Sequence, residues 1–259
     1  MNRFAWIPAL GLANLRSELV RPLNVAVLSA FMALNNFVWF GVWGLFFGLA
    51  GDVRGWTLRD VTEIYGILAV AYGIYATFFG GARNVALFVQ NGALDVYLGR
   101  PGSPLLGVLF SRCDPTGFGD IASGAVLIAW SAGTTTEWLL ALVFAMLGAS
   151  VVVSVYVAIN CLAFWTSAKP RLCDQLFESF LQFAMVPQIG LPVFVKVLLY
   201  TVLPAAFVGF VPVEILRSFS LGKTAAVVAA AAVFPAIAAG VFRLGLRRYA
   251  SGNRALDVR

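Results

Sequence analysis

The chain has 259 residues, of which 61% are hydrophobic and 12% are charged, whereas a soluble domain carries about 25% charged residues. This composition excludes a water-soluble globular protein. No polar stretch is long enough to fold separately, so a single transmembrane domain is predicted over residues 1–259. The net charge of +6 matters through its position beside membrane spans, and it does not predict nucleic-acid binding.

The absence of histidine removes the commonest metal ligand and the commonest general base. Cys113, Cys161 and Cys173 show no metal-ligand spacing, and we interpret them as reduced structural thiols. The sequence therefore predicts no metal site and no catalytic residue. A membrane enzyme is accordingly a poor alternative.

The first segment, residues 1–22, is predicted to form an amphipathic helix on the cytoplasmic surface of the membrane. Its apolar stripe consists of Leu12, Leu15 and Leu19. Its polar stripe consists of Asn14, Glu18 and Arg21. The alternative is that this segment is an irregular start to the first membrane span.

Six predominantly apolar runs follow, and a membrane-spanning helix needs about 20 such residues. The runs cover residues 23–50, 64–82, 116–132, 138–165, 172–192 and 225–242. The third is the weakest, with Asp120 near its start. The predicted fold class is therefore an all-α integral membrane protein with six transmembrane helices.

The distribution of basic residues orients these spans through the positive-inside rule. With a cytoplasmic N-terminus, the internal segments up to the fifth span contain Arg3, Arg16, Arg21, Arg83, Arg100, Arg112, Lys169 and Arg171. The external loops up to that point contain only Arg54 and Arg59. The last run is followed by Arg243, Arg247, Arg248, Arg254 and Arg259. Both termini are therefore predicted to be cytoplasmic, which requires an even number of crossings.

Residues 193–221 are apolar but contain Pro204 and Pro212. We predict that they re-enter the membrane from the external side without crossing it, because a seventh crossing would place the C-terminal arginines outside. Non-helical backbone at membrane depth has to be buried in protein or line water. This re-entrant segment is therefore expected to be packed or to face another subunit.

The sequence "SLGKT", residues 220–224, has the ending of a phosphate-binding loop. That loop needs a glycine five residues before Gly222, and this position is Arg217. Apolar helical sequence also flanks the stretch where a strand is required. We interpret it as a turn before the last span, so the chain is not expected to hydrolyse ATP by itself.

Few polar side chains fall within the predicted spans. The carboxylates nearest to span interiors, Asp120 and Glu178, each lie at a predicted span end, and we interpret them as interfacial residues. Amides inside spans can hydrogen-bond between helices or line a substrate route, and the structural role is favoured. The candidates for pathway or interface are Asn35, Asn36, Gln182 and Gln188.

The cytoplasmic segment 83–115 contains the turn-rich sequence "GALDVYLGRPGSP", residues 92–104. Residues 93–98 can form about two helical turns with Leu94 and Leu98 on the same side. The prolines at 101 and 104 then force a turn. A short helix held on a stiff turn is suited to a cleft in a soluble partner. Its contact surface is predicted to consist of Leu94, Asp95, Tyr97 and Leu98.

The sequence "GALDVYLGRPGSPL" resembles the motif that follows the second span in six-span permease subunits of ATP-binding cassette exporters of the ABC-2 type. The resemblance rests on Gly92, Leu94, Asp95, Leu98, Arg100, Pro101 and Pro104. It extends to "TVLPAAFVGFVPVEIL", with Pro204 and Pro212, and to "GLRRYASGN", with Arg248, Tyr249, Ser251 and Gly252.

This resemblance implies a permease that dimerises with a second copy or a related permease in the bacterial cytoplasmic membrane. Two separate ATPase subunits would bind ATP and magnesium, so the chain itself needs no cofactor. Segment 83–115 would be the coupling segment, with Gly92, Leu94, Asp95, Tyr97, Leu98, Arg100 and Pro101 at the ATPase. Residues 1–22 would be a connecting helix, and residues 193–221 would close the exit side.

The function implied is export of an unidentified, amphipathic or bulky substrate. The alternative is an ATP-independent channel or secondary transporter. That alternative needs buried ionisable residues, which the sequence largely lacks.

Overall fold

The structure is a computed structural model that describes residues 6–166, 168–188 and 191–249. Its helices are α1 (Trp6–Leu19), α2 (Pro22–Ala50), α3 (Leu58–Phe79), α4 (Val85–Asn91), α5 (Asp95–Leu98), α6 (Pro104–Leu109), α7 (Thr116–Ser131), α8 (Thr135–Asn160), α9 (Pro170–Met185), α10 (Val193–Thr201), α11 (Phe210–Arg217) and α12 (Leu221–Leu246). Within these ranges, strand pairing is limited to one isolated bridge between Val53 and Trp56. The all-α prediction is confirmed.

Four stretches of the described chain are long and apolar enough to cross a membrane. They are Pro22–Ala50, Leu58–Asn91, Thr135–Phe164 and Leu221–Leu246. The third and fifth predicted spans correspond to α7 and α9, which have 16 residues each. At about 1.5 Å per residue such helices are about 24 Å long, shorter than the hydrocarbon core. An integral membrane protein is thus established, and the count of six crossings stays a prediction.

Helix α3 begins six residues before the predicted start of the second span. Thr57 and Asp60 form a capping box, in which Asp60 accepts a hydrogen bond from the Thr57 backbone N–H at 2.8 Å. This cap satisfies amide groups that would otherwise be unpaired at the helix start. Asp60 and Glu63, which precede the predicted start of the second span at residue 64, are both buried in the first turns of α3.

Helices α3 and α7 pack closely through glycines on facing sides. A Cβ added at Gly73 would lie 2.6 Å from the carbonyl oxygen of Gly117, and one at Gly124 would lie 2.8 Å from that of Gly66. Small residues allow helix backbones to approach in this way inside membranes. The contact fixes α7 along the length of α3, the most buried of the long helices.

An aromatic cluster joins α3, α8 and α9. The rings of Tyr156 and Phe177 stack with centroids 3.8 Å apart, and Tyr75 packs on both. The Tyr156 hydroxyl donates a hydrogen bond to Asp174, whose other oxygen pairs with Arg83 at 2.9 Å. Helix α9 is thereby anchored to the end of α3 by both apolar packing and charge.

Helix α2 lies at the periphery, and most of its side chains are exposed. The exposed large apolar side chains of this helix include Phe31, Leu34, Val38, Trp39, Val42, Leu45 and Leu49. A continuous apolar surface of this kind is covered by lipid or by another subunit.

Helix α1 packs on the chain with a different face from the one that the sequence pattern indicated. Ile7 is buried, and Asn14, predicted to lie on the polar stripe, donates a hydrogen bond to the carbonyl oxygen of Phe110 at 2.8 Å. Leu12 and Leu19 remain half exposed. The Asn14 side chain points inward because its amide group supplies a hydrogen bond to a carbonyl oxygen at the end of α6.

Candidate functional site

The predicted coupling segment, residues 83–115, folds against one end of the helix bundle. Helix α4 ends at Gly92, whose φ of 77° lies in the left-handed region that favours glycine. A turn leads into α5, which is a single helical turn and not the two that the sequence indicated. Gly102, at φ 118°, and the Ser103 cap of α6 complete the predicted turn after α5.

Leu94 was predicted to form part of the exposed contact surface, but the structure places it elsewhere. Its side chain is fully buried in the main core, and its backbone N–H donates to the Phe88 carbonyl oxygen at 3.3 Å. The Tyr97 ring stacks on Phe88 with centroids 5.6 Å apart. Leu98 lies one helical turn after Leu94, and its N–H donates to the Leu94 carbonyl oxygen at 3.1 Å, but Leu94 packs into the core whereas Leu98 lies at its edge and is partly exposed. Leu94 and Tyr97 anchor α5.

The outer side of α5 consists of Val96 and Leu98, whose exposed fractions are 57% and 40%. Asp95, at the start of this helix, lies beside the Tyr249 hydroxyl after the end of α12. Burial, together with this carboxylate, raises the pKa of Tyr249 to about 12. Helix α5 thus contacts the end of the last long helix and also presents an apolar edge.

The turn that follows α5 is attached to the N-terminal helix. The indole Nε1–H of Trp6 donates to the carbonyl oxygen of Pro101 at 2.6 Å. The Arg100 guanidinium lies over the Trp6 ring, 5.1 Å from its centroid. Helix α1 and the coupling segment therefore form one contact unit, which the sequence motif alone did not show.

Both ends of the described chain lie at this end of the bundle. Trp6 reaches Pro101, and Tyr249 packs edge-on against Phe164, at a centroid distance of 6.3 Å. This arrangement agrees with an even number of crossings. Ser251 and Gly252 of the C-terminal motif lie outside the described residues.

A second candidate site is a polar cluster between α2, α3 and α7. The Asn36 amide donates to Asp120 Oδ1 and to Ser123 Oγ, both at 2.8 Å, and accepts from the Tyr65 hydroxyl at 3.2 Å. Asn36 lies near the middle of α2, and Asp120 is buried. The interpretation of Asp120 as an interfacial residue is therefore wrong. Helix α7 places this residue inside the bundle.

This cluster borders a cavity of about 180 Å³. The cavity is lined by Met32, Asn35, Asn36, Trp39, Tyr65, Leu68, Ala69, Tyr72, Asp120, Leu181 and Met185. Of the four predicted amides, Asn35 and Asn36 line it. Gln182 is exposed on α9, and Gln188 is buried after the end of that helix.

Sequence reasoning did not predict the roles of Tyr65, Asp120 and Ser123. One signal was present: Ser123 follows Asp120 by three residues, so both side chains share a face of a helix. Their contact with Asn36, 84 and 87 residues away, depends on how the helices pack.

The predicted re-entrant segment forms two short helices, α10 and α11, joined by a 3-10 turn. Pro204 precedes this turn and Pro212 lies in the first turns of α11, and both are buried. Neither helix reaches spanning length, at nine and eight residues. The prolines thus occur where the helices begin, because a missing N–H costs nothing there.

Helix α11 is fixed to the start of α3 by Arg217. The guanidinium lies 4.9 Å from the centroid of the Trp56 ring, donates to the Gly55 carbonyl oxygen at 2.8 Å and pairs with Asp60 at 3.5 Å. Trp56 also stacks on Phe210. These contacts hold the short helices at the end of the bundle opposite α5.

The Gly-Lys-Thr sequence forms the first turn of α12. Ser220 caps this helix, and Lys223 pairs with Glu214 of α11 at 3.1 Å. The lysine is thus engaged in an ion pair, and no strand precedes it in the described part of the chain. The structure therefore agrees with a helix start and not with a phosphate-binding loop.

The bundle of apolar spanning helices, with a folded segment at one end and short proline-containing helices at the other, defines an integral membrane protein. The family model described as "ABC-2 family transporter protein" matches residues 15–252. The chain belongs to this ABC-2 family, whose members are membrane components that work with ATP-binding cassette ATPases. Comparisons with curated proteins and with solved structures gave no match.

Proposed function

We propose that this chain is the permease subunit of an exporter in the bacterial cytoplasmic membrane. It forms the translocation path with a second copy of itself or with a related permease. Two separate ATPase subunits bind ATP and magnesium and drive the cycle. The substrate is amphipathic or bulky.

The observation that supports coupling most strongly is the two-sided character of α5. Leu94 and Tyr97 attach it to the core, whereas Val96 and Leu98 form an exposed apolar edge. A helix that is fixed on one side and apolar on the other can transmit movement of a bound partner. The remaining coupling residues act through the fold: Gly92 ends α4, and Arg100 and Pro101 bind Trp6.

The path between the two permeases runs along α2, α3 and α9. The exposed apolar face of α2 supplies the contact surface, and the Asn36 cavity opens beside it. ATP binding would bring the two ATPase subunits together and favour one arrangement of these helices. The free energy of coupling is the difference in nucleotide affinity between the two arrangements.

Helices α10 and α11 close the external side of this path. This position is supported by the contacts of Arg217 with Gly55 and Asp60. Both residues belong to the segment between the first and second spans, which the positive-inside rule places outside. The basic coupling segment lies at the opposite, cytoplasmic end.

Co-purification tests this proposal. The tagged chain, expressed in its native host and extracted in mild detergent, is expected to bring down an ATP-binding cassette ATPase. Leu98→Glu should abolish this recovery, while Leu139→Glu, at a comparably exposed leucine of α8, should not. Solute movement by the reconstituted chain alone, with no ATPase recovered, would instead support a channel or secondary transporter.

A further inference from the structure

The cavity beside Asn36 contains a buried carboxylate whose second oxygen is unsatisfied. Asp120 is 3% exposed, and its Oδ1 accepts the hydrogen bond from Asn36. Its Oδ2 is buried and has no hydrogen-bond partner among the described residues. A buried polar atom without a partner carries a large desolvation cost, which is greater for a charged group.

The neighbours of Asp120 cannot remove this cost. Asn36 is fully engaged, since its amide nitrogen donates to Asp120 and Ser123 and its oxygen accepts from Tyr65. The Ser123 hydroxyl donates to the carbonyl oxygen of Gly119 at 2.7 Å. The residues that line the cavity include no lysine or arginine. The carboxylate is held in place, and none of the side chains that line the cavity supplies a compensating positive charge.

The remaining cavity wall suits a cation. Trp39, Tyr65 and Tyr72 contribute aromatic rings, and Met32 and Met185 contribute polarisable thioethers. Aromatic faces attract ammonium groups, and this attraction increases when the cation leaves water. One carboxylate surrounded by aromatic rings is the combination that binds quaternary or primary ammonium groups.

We propose that this cavity is a binding site for organic cations, in which Asp120 pairs with an ammonium group and the aromatic rings surround it. The inference rests on the proposed function in one respect, since it makes the transported substrate an amphipathic ammonium compound. The cavity of about 180 Å³ accepts the ammonium head. The apolar remainder of the molecule lies along the exposed side of α2.

Equilibrium dialysis of radiolabelled tetraethylammonium against the purified chain in maltoside detergent tests this site. The wild-type chain should bind the cation saturably, at one per chain. Asp120→Asn, which keeps an oxygen for the Asn36 hydrogen bond, should weaken binding at least tenfold. Glu178→Gln removes an exposed carboxylate from α9 and should leave binding unchanged. Choline should compete, and its uncharged isostere 3,3-dimethylbutan-1-ol should not.

Trp39→Leu provides a second variant, because Trp39 is half exposed and its loss does not disturb the core. It should weaken binding severalfold with an unchanged elution volume in size exclusion. Absence of saturable binding to the wild-type chain would overturn the proposal, as would wild-type affinity in Asp120→Asn. Either result can occur while an ATPase still co-purifies, so failure of the cation site and failure of the proposed function are distinguishable.

Discussion

Trp6 and Pro101, 95 residues apart in sequence, are joined by a hydrogen bond of 2.6 Å from the indole N–H to the carbonyl oxygen. The bond ties the N-terminal helix to the turn after α5. Arg100 adds a second contact by lying over the same ring. Movement of α5 therefore has to displace α1 or break these contacts.

Trp6→Phe tests this connection because it keeps an aromatic ring and removes only the indole N–H. Loss of the hydrogen bond should cost about 1 kcal/mol. Backbone amides of residues 98–103 should then exchange hydrogen about fivefold faster. Leu12→Ala, on the exposed side of the same helix, is the control. Equally faster hydrogen exchange in both variants would show that the Trp6 hydrogen bond has no specific role in holding the turn.

Glycine packing between α3 and α7 sets the position of the polar cluster. Gly73→Ala would place a Cβ 2.6 Å from the Gly117 carbonyl oxygen, so the helices have to separate. Overpacking of this kind costs about 1–3 kcal/mol. The midpoint of thermal unfolding in detergent should fall. Gly240→Ala has no neighbouring atom within 4 Å and should preserve or raise the midpoint, since alanine favours helix.

Arg217 is expected to control how firmly α11 is held. Arg217→Lys keeps the charge but loses the planar contact with Trp56 and the geometry for Gly55 and Asp60. Because the ion pair is partly exposed, we expect a loss of about 1 kcal/mol. Hydrogen exchange in residues 210–217 should increase. Arg54 is exposed in the adjoining turn, so Arg54→Lys is the control. If Arg54→Lys increased hydrogen exchange in residues 210–217 as much as Arg217→Lys, a specific role of Arg217 would be contradicted.

The three cysteines should resist thiol reagents in the native protein. All three are buried, and burial, with smaller contributions from Glu18 and Asp114, raises the pKa of Cys113 to about 11. Because the thiolate is the reactive form, labelling of Cys113 by N-ethylmaleimide at pH 7 should be slow and should increase as the pH rises towards 11. An added Val96→Cys should react rapidly. Fast labelling of the wild-type chain at pH 7 would disprove this burial.

The sequence predicted the bounds of two helices closely, although one of these runs contains Asp120. The first and third runs, 23–50 and 116–132, differ from α2 and α7 by one residue at one end. It failed at the start of α3, because Asp60 and Glu63 are charged; the helix cap and Arg217 accommodate Asp60 there.

The candidate site was less predictable than the helices. The motif located α5 and its turn, but the burial of Leu94 depends on how α5 packs against the helix bundle. The contact between Asn36 and Asp120 joins two helices across 84 residues. It depends on how α7 packs on α3 through the glycines, and a single sequence holds no record of that contact.

In the proposed exporter, the outer side of α5 contacts an ATPase subunit. Site-specific incorporation of a benzophenone amino acid at Val96, followed by irradiation of native membranes, tests it most directly. Val96 is 57% exposed, and Leu139, 52% exposed at the start of α8, is the matched control. We expect a crosslink to an ATP-binding cassette ATPase from position 96 and none from position 139. No ATPase crosslink from position 96, or equal crosslinks from both positions, would contradict it.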